Sequence, residues 1–565
     1  MRLQLLATAA VAAAATASAA AAPPNIVWIL ADDLNADYDQ DRLALMPNLR
    51  TRVRDVGVHF ANHVAAQPVC GPSRSSLLAG RYPHNVGYFA NLDPPSVASW
   101  KAEMNNTVGS WATAAGYHTA FFGKFVNGVE KSPAAGWTHW GAYSTSANTY
   151  NYYNNTLWNI TFDDAGRSPI SPISEIAMTG THQSDFLPEL FRQQAAIAAS
   201  KQRPFFIHLT PTMVHEGTCY GPYASNASYA RDDPYWERDL TGFGCDAGGN
   251  GKLNSGCAIT ISPCVALRHR HSADALANPH VPSWNRTSSG VLPAYMQSHW
   301  PALTAYESGR EDMGFRNRTG SVMDLDDMIG GVLDAIEALG VADNTFVIFT
   351  ADNGYHLGEH RMLFGKQHPY ETDVRLPFYM RGPGVAQNAT LLHPTTLIDI
   401  TATVVELTGA TPVGPALDGQ SFASELKGGT DPRAWRDFSF TEHFENELTW
   451  WQIRRPLDAV PTTFAWWCTG ALNVSGGGKS ALIAVEGAAE AYHVDTDPWQ
   501  LSNLLSPPTA GGYAISNASV ALGIALSQCG GAACSRPSAA RLTATPLACK
   551  ATSGHLQGEE WRADP

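Results

Sequence analysis

The sequence predicts an α/β protein: a doubly wound sheet flanked by helices, followed by a smaller second domain. Three observations predict it. Continuous apolar runs of strand length occur at Asn25 to Leu30, Pro204 to Leu209 and Thr345 to Thr350, as expected for parallel strands buried on both faces. Val322, Leu325, Ile329, Val332, Leu333, Ile336 and Leu339 recur at helical spacing and feed the third run across a short loop. Beyond about residue 430 the texture changes to Gly-rich turns, and 565 residues exceed what one core organises.

Taken in order, residues 1–22 read as a signal peptide. Arg2 supplies the positive charge, Leu3 to Ala17 is apolar, and small residues from Ser18 to Ala22 offer cleavage sites. A membrane anchor is the weaker reading, because the stretch is Ala-rich and followed at once by a strand. Nine N-x-[ST] sites (Asn105, Asn154, Asn159, Asn226, Asn285, Asn317, Asn388, Asn473 and Asn517) agree with an exported glycoprotein, secreted or held in a secretory-pathway lumen such as a lysosome-like compartment. So does the cysteine count. Setting Cys70 apart leaves eight cysteines, four in 219–264 and four in 468–549, enough for disulfides within each cluster.

The catalytic domain is expected over 23–430. It is interrupted at 216–300 by a Cys-, Gly- and Pro-rich insertion and closed by a helix from Leu397 to Leu407; residues 431–565 form the C-terminal domain. No segment after the signal is apolar enough to span a membrane. The formal charge of −14 argues against a nucleic-acid partner.

Ligands gather at the carboxyl ends of strands in such sheets. Asp32-Asp33 follow the first run, His215 the second, and Asp352-Asn353 the third. Asp32, Asp33, Asp352 and the Asn353 carbonyl make an all-oxygen donor set, which selects Ca²⁺, or less favourably Mg²⁺, over zinc. His215 is placed to act as an acid or base near a leaving group. His356 and His360 lie beside the metal motif, with substrate or supporting roles equally open. Trp137, Trp140 and the Tyr-rich stretch Tyr143 to Tyr153 read chiefly as structural, with lining of a sugar- or aryl-binding cleft as the alternative.

The most specific string is Cys70-Gly71-Pro72-Ser73-Arg74-Ser75-Ser76-Leu77-Leu78-Ala79-Gly80-Arg81. It resembles the sulfatase signature, with Ala79 where Thr is usual. Asp32-Asp33, Gly123-Lys124, Asp352-Asn353-Gly354-Tyr355-His356, Lys366, Arg381-Gly382-Pro383-Gly384 and Tyr492 to Pro498 resemble further motifs of that family. The likeness is to arylsulfatases and N-acetylglucosamine-6-sulfatases. It implies an alkaline-phosphatase-like doubly wound mixed sheet with a smaller α+β C-terminal domain. It also implies conversion of Cys70 to formylglycine by a formylglycine-generating enzyme, with position 70 joining the metal ligands and its aldehyde hydrate acting as nucleophile. Arg74, Lys124 and Lys366 then face the sulfate. Many members carry K-x-H after the Gly; here Val126 stands in place of that His.

Three carboxylates set against a divalent ion and three cations leave the pocket net positive inside an acidic protein, as an anionic ester requires. The implied activity is removal of sulfate from aryl sulfates or sulfated glycans. The alternatives are a phosphodiesterase or phosphonate hydrolase of the same superfamily, and a catalytically dead glycan-binding homologue.

Overall fold

A computed structural model describes residues 22–36, 41–145, 149–217, 263–288, 301–444, 449–467, 470–476, 479–485, 489–505 and parts of 522–535. The expected signal peptide before residue 22, most of the expected 216–300 insertion, the chain beyond 535, and Cys219, Cys245, Cys257, Cys468 and Cys549 lie outside the described residues.

The main sheet has ten strands: β1 (Asn25–Ala31), β2 (Val58–Val64), β3 (His118–Gly123), β4 (His139–Ala142), β5 (Asn154–Thr161), β6 (Ser174–Thr179), β7 (Phe205–Thr210), β8 (Thr345–Ala351), β9 (Phe378–Arg381) and β10 (Ala389–Thr396). Their spatial order is β10-β2-β9-β8-β1-β7-β3-β4-β5-β6. The centre, β8-β1-β7-β3-β4, is parallel, while β9, β5 and β6 run antiparallel to their neighbours. The sheet is therefore mixed, as the resemblance implied. All three apolar runs are central strands with every residue of β1, β7 and β8 buried, because helices cover both faces.

The helical pattern before β8 begins earlier than expected: the helix spans Ala305–Ala338, opened by a capping box between Thr304 and Glu307. The helix Leu397–Thr408 stands where its pattern placed it and ends on Gly409 in the left-handed region. A second, antiparallel sheet follows, in the order β11 (Ser439–His443), β12 (Trp450–Arg455), β13 (Thr462–Trp467) and β16 (Ala489–His493). Between its last two strands lies the hairpin β14 (Gly470–Gly476) and β15 (Lys479–Val485). Phe438, Phe440, Trp451, Ile453 and Phe464 pack with Ala66, Tyr82 and Ile398 of the main body. Cys529 and Cys534 are joined, both from the C-terminal group; Cys264 is also disulfide-bonded, and Cys70 is free.

Candidate functional site

Because β8, β1, β7 and β3 are adjacent and parallel, their carboxyl ends open on one edge of the sheet, and four chain segments meet there. Asp32 extends the ladder between β1 and β7: its amide donates to Met213 O at 2.9 Å, and its carbonyl accepts from Val214 N at 2.8 Å. Asp33 then adopts φ 60°, a turn out of the strand that Asp tolerates better than most residues. Successive strand side chains face opposite ways, so this turn lets both carboxylates serve one pocket. Both are fully buried.

Position 70 opens the helix Cys70–Ala79, which follows β2 and has all ten residues buried. A side chain on Gly71 would meet Asn91 Oδ1 at 2.4 Å and Tyr88 Cε1 at 2.6 Å. Only glycine therefore lets Asn91 take the Gly71 amide at 2.9 Å. Cys70 Sγ lies 3.8 Å from Asp32 Oδ1 and accepts from Lys366 Nζ at 2.8 Å. Lys366 Nζ also donates to Asp33 Oδ1. Lys124 Nζ donates to Asp32 Oδ2 at 2.6 Å. Arg74 donates from Nε to Asp352 Oδ2 and from Nη1 to Lys124 O, both at 2.8 Å.

These contacts set the protonation states. Burial pushes Asp32 up, but Lys124 and Arg74 beside it hold its carboxyl well below the usual range. Burial likewise opposes ionisation of Asp33, and Lys366 and His215 overcome it. Burial and the neighbouring Asp32 raise Asp352. His215 is raised well above 6.5 because Glu216 and Asp33 outweigh its burial; its Nε2 lies 3.5 Å from Asp33 Oδ2.

The residues fit a hard divalent cation. Asn353 Oδ1 is buried and accepts no hydrogen bond, Asp33 Oδ2 is buried with the His215 imidazole 3.5 Å away, and oxygens so placed are stabilised by a bound cation. Ligand atoms of Asp32, Asp33, Cys70 and His215 all lie within 4.8 Å of one another. The structure differs from the sequence reading in two details. An imidazole borders the oxygen set, and Asp352 has both oxygens engaged, Oδ1 accepting from the amides of Asp33 and Asn353.

The other expectations sort by burial. Trp137, Trp140, Tyr143 and Tyr152 are core residues at 0–1% exposure. Val126 is buried as well. Asn127 Nδ2 reaches Tyr150 Oη at 3.0 Å. Tyr150 stands with its ring centroid 4.9 Å from Lys124 Nζ and 4.6 Å from the His215 ring, making it a wall of the pocket. His356 is turned toward Asp373, 2.8 Å from Nδ1 to Oδ1, and His360 stacks on Tyr370 with centroids 4.0 Å apart. Tyr150 is the member of the Tyr-rich stretch that takes the cleft-lining alternative; sequence reasoning missed Arg318. Arg318 is 4% exposed, its guanidinium lies 4.2 Å from the Tyr355 ring, and it donates to Val214 O and Asp33 O. The signal for Arg318 was a cation among the apolar positions of its helix.

The Sulfatase family model matches residues 24–410. The chain is 28% identical over 547 residues to an arylsulfatase of Volvox carteri, covering 91% of this chain and 76% of that one. It is 24% identical to a human N-acetylglucosamine-6-sulfatase, covering 74% and 67% respectively. It is 27% identical to a Drosophila melanogaster extracellular sulfatase SULF-1 homolog, but spans only 31% of that protein and 56% of a Chlamydomonas reinhardtii arylsulfatase. Among solved structures, one in complex with its substrate D-glucosamine-2-N,6-O-disulfate aligns with TM-score 0.57 and 19% identity, over 85% of this chain and 93% of that one. A phosphonate monoester hydrolase of Agrobacterium radiobacter aligns at 0.52 and 18%, over 85% and 91%. The shared fold is alkaline-phosphatase-like.

Proposed function

The chain belongs to the sulfatase family, and from that membership and its buried site we propose that it hydrolyses sulfate esters, with position 70 as nucleophile. The observation that carries this reading is the convergence on Cys70: a free, buried thiol position with Lys366 Nζ at 2.8 Å and Asp32 within 3.8 Å. A Cys in a pocket of carboxylates and ammonium groups, at the start of a helix, is set for an anionic ester. In this reading a formylglycine-generating enzyme converts Cys70 to the aldehyde, whose hydrate offers one oxygen to attack sulfur and a second to release the sulfate. Ca²⁺ is the ion we assign to Asp32, Asp33, Asp352, Asn353 and the aldehyde hydrate at position 70, because a set of several protein oxygens is the kind that Ca²⁺ takes. Bound there, it supplies positive charge that polarises the ester and favours an ionised hydroxyl at position 70.

The chain's own residues do the rest. Lys366 and Lys124 each pair with a carboxylate, so they stay charged and present ammonium protons to the non-bridging sulfate oxygens. Arg74 holds Asp352 and the Lys124 carbonyl, fixing the floor of the pocket. His215, with Nδ1 held by the Glu216 carbonyl at 2.6 Å, presents Nε2 to the pocket and gives a proton to the departing alcohol. The two candidate substrate classes are aryl sulfates and sulfated glycans. The solved structure bound to a disulfated glucosamine supports the glycan class. The exposed Asn105, Asn159 and Asn388 support a secreted or lumenal glycoprotein.

Peptide mass spectrometry across position 70 is expected to show aldehyde in place of thiol. Cys70→Ser is expected to fold and bind metal yet release at most one phenol per enzyme from an aryl sulfate and no free sulfate, because a sulfated serine has no second hydroxyl to expel it. Multiple turnover by this variant contradicts the nucleophile assignment. The phosphonate hydrolase neighbour gives a second reading. A kcat/KM on phosphonate monoesters above that on aryl sulfates favours it.

A further inference from the structure

Lys366 sits on an exposed-side loop, half-buried, and is followed by Gln367 at φ 92°, a backbone region that residues with a Cβ rarely adopt. The second sheet bonds this segment and the residues after it. In strand β12, alternate residues share a face. Trp450 Nε1 donates to Gln367 O at 2.9 Å, Gln452 Nε2 donates to Pro369 O, and Arg454 Nε donates to Glu371 Oε1 at 2.9 Å. Each pair is separated by 83 residues, so the strand and the strap advance together two residues at a time. Two further bonds fasten the far end: Glu371 N to Gln500 Oε1 at 2.7 Å, and Tyr370 Oη to Glu490 Oε2 at 3.1 Å.

We propose that β12 is a positioning element for the active site, in which Trp450, Gln452 and Arg454 hold the strap Gln367–Glu371 so that the Lys366 ammonium stays against position 70. The side chains named do not reach the reacting atoms and act through Lys366. The one face of β12 that carries Trp450, Gln452 and Arg454 thus supports the hydrolytic machinery. The proposal rests on the sulfatase reading for its activity readout.

A double-mutant cycle tests it. Trp450→Phe removes the indole donor, and Gln452→Met removes the amide donor at similar volume. Each is expected to lower kcat/KM on an aryl sulfate about tenfold in the wild-type background, since small misplacements of a catalytic group are that costly. In a Lys366→Ala background each is expected to cost less than about twofold, because the group being positioned is gone. Arg455→Gln, on the opposite face of the same strand, is expected to leave kcat/KM unchanged. Equal factors in both backgrounds, or no loss from either variant, overturn the proposal. Hydrogen–deuterium exchange of the 364–371 peptide gives a readout independent of turnover: faster exchange in both variants and not in Arg455→Gln supports the clamp, and unchanged exchange in both sinks it. A wild-type enzyme that releases no sulfate counts against the hydrolase reading alone, and the exchange result then decides the clamp.

Discussion

Lys124 bonds Asp32 and Lys366 bonds Asp33, so each of the two consecutive buried carboxylates has its own ammonium. Deleting one partner of such a pair leaves an uncompensated buried charge. Lys124→Met is therefore expected to lower kcat on an aryl sulfate by about 10²–10³, the usual effect of losing one donor aimed at developing charge. It is also expected to lower Tm, which differential scanning calorimetry reads. At this scale the sequence was legible wherever the chemistry is carried by neighbours along the chain. Cys70, Arg74, Asp32-Asp33 and Lys124 sit inside contiguous motifs. Tyr150 was legible only as one of an aromatic stretch and Arg318 not at all, because their places come from approaches across the fold to Lys124, His215 and the Asp33 carbonyl.

The strands and helices that place these residues differ in how plainly they could be read. β1, β7 and β8 are buried on both faces and show as unbroken apolar runs. β6 is exposed along its length, so nothing in its composition separated it from a loop. The start of the Ala305–Ala338 helix was hidden for a similar reason, since its first turns are mostly solvent-facing. Gly123 shows what one position does for an element. At φ 106° it ends β3, and a Cβ there would lie 2.1 Å from the Thr210 carbonyl oxygen. The next amide, Lys124 N, bonds that same oxygen at 2.8 Å. Gly123→Ala is expected to part β3 from β7 just before Lys124. The expected cost is about 1–3 kcal/mol in denaturant unfolding, with kcat/KM falling further than Tm suggests.

Across the whole molecule, the main body and the second sheet are also joined at His84. Its Nδ1 donates to Glu442 Oε1 of β11 at 2.8 Å, and its Nε2 donates to the carbonyl of disulfide-bonded Cys529 at 2.9 Å. Burial opposes the charged imidazole, but Glu442 outweighs it and raises the pKa to about 9. A raised histidine pKa stabilises the fold fully below about 6.5, and the contribution is lost as pH climbs through about 9. Tm of the wild-type protein is expected to fall more steeply between pH 7 and 9 than that of His84→Gln, which lacks the titrating group. Parallel slopes disprove the linkage. The order of the domains along the chain was legible from texture; their mutual grip was not, because it runs through single polar contacts far apart in sequence.

A side chain that is 1% exposed, in a helix with no residue at the surface, is beyond the reach of another enzyme once the protein has closed. Closure has to wait, since the amide after Asp32 finds its partner in Asp352 only 319 residues later. At ordinary ribosome speeds that delay is on the order of tens of seconds. On the proposed conversion of position 70, maturation is consequently a race between a modifying enzyme and translation, and a chain that pairs its central strands too early is sealed with its thiol unconverted.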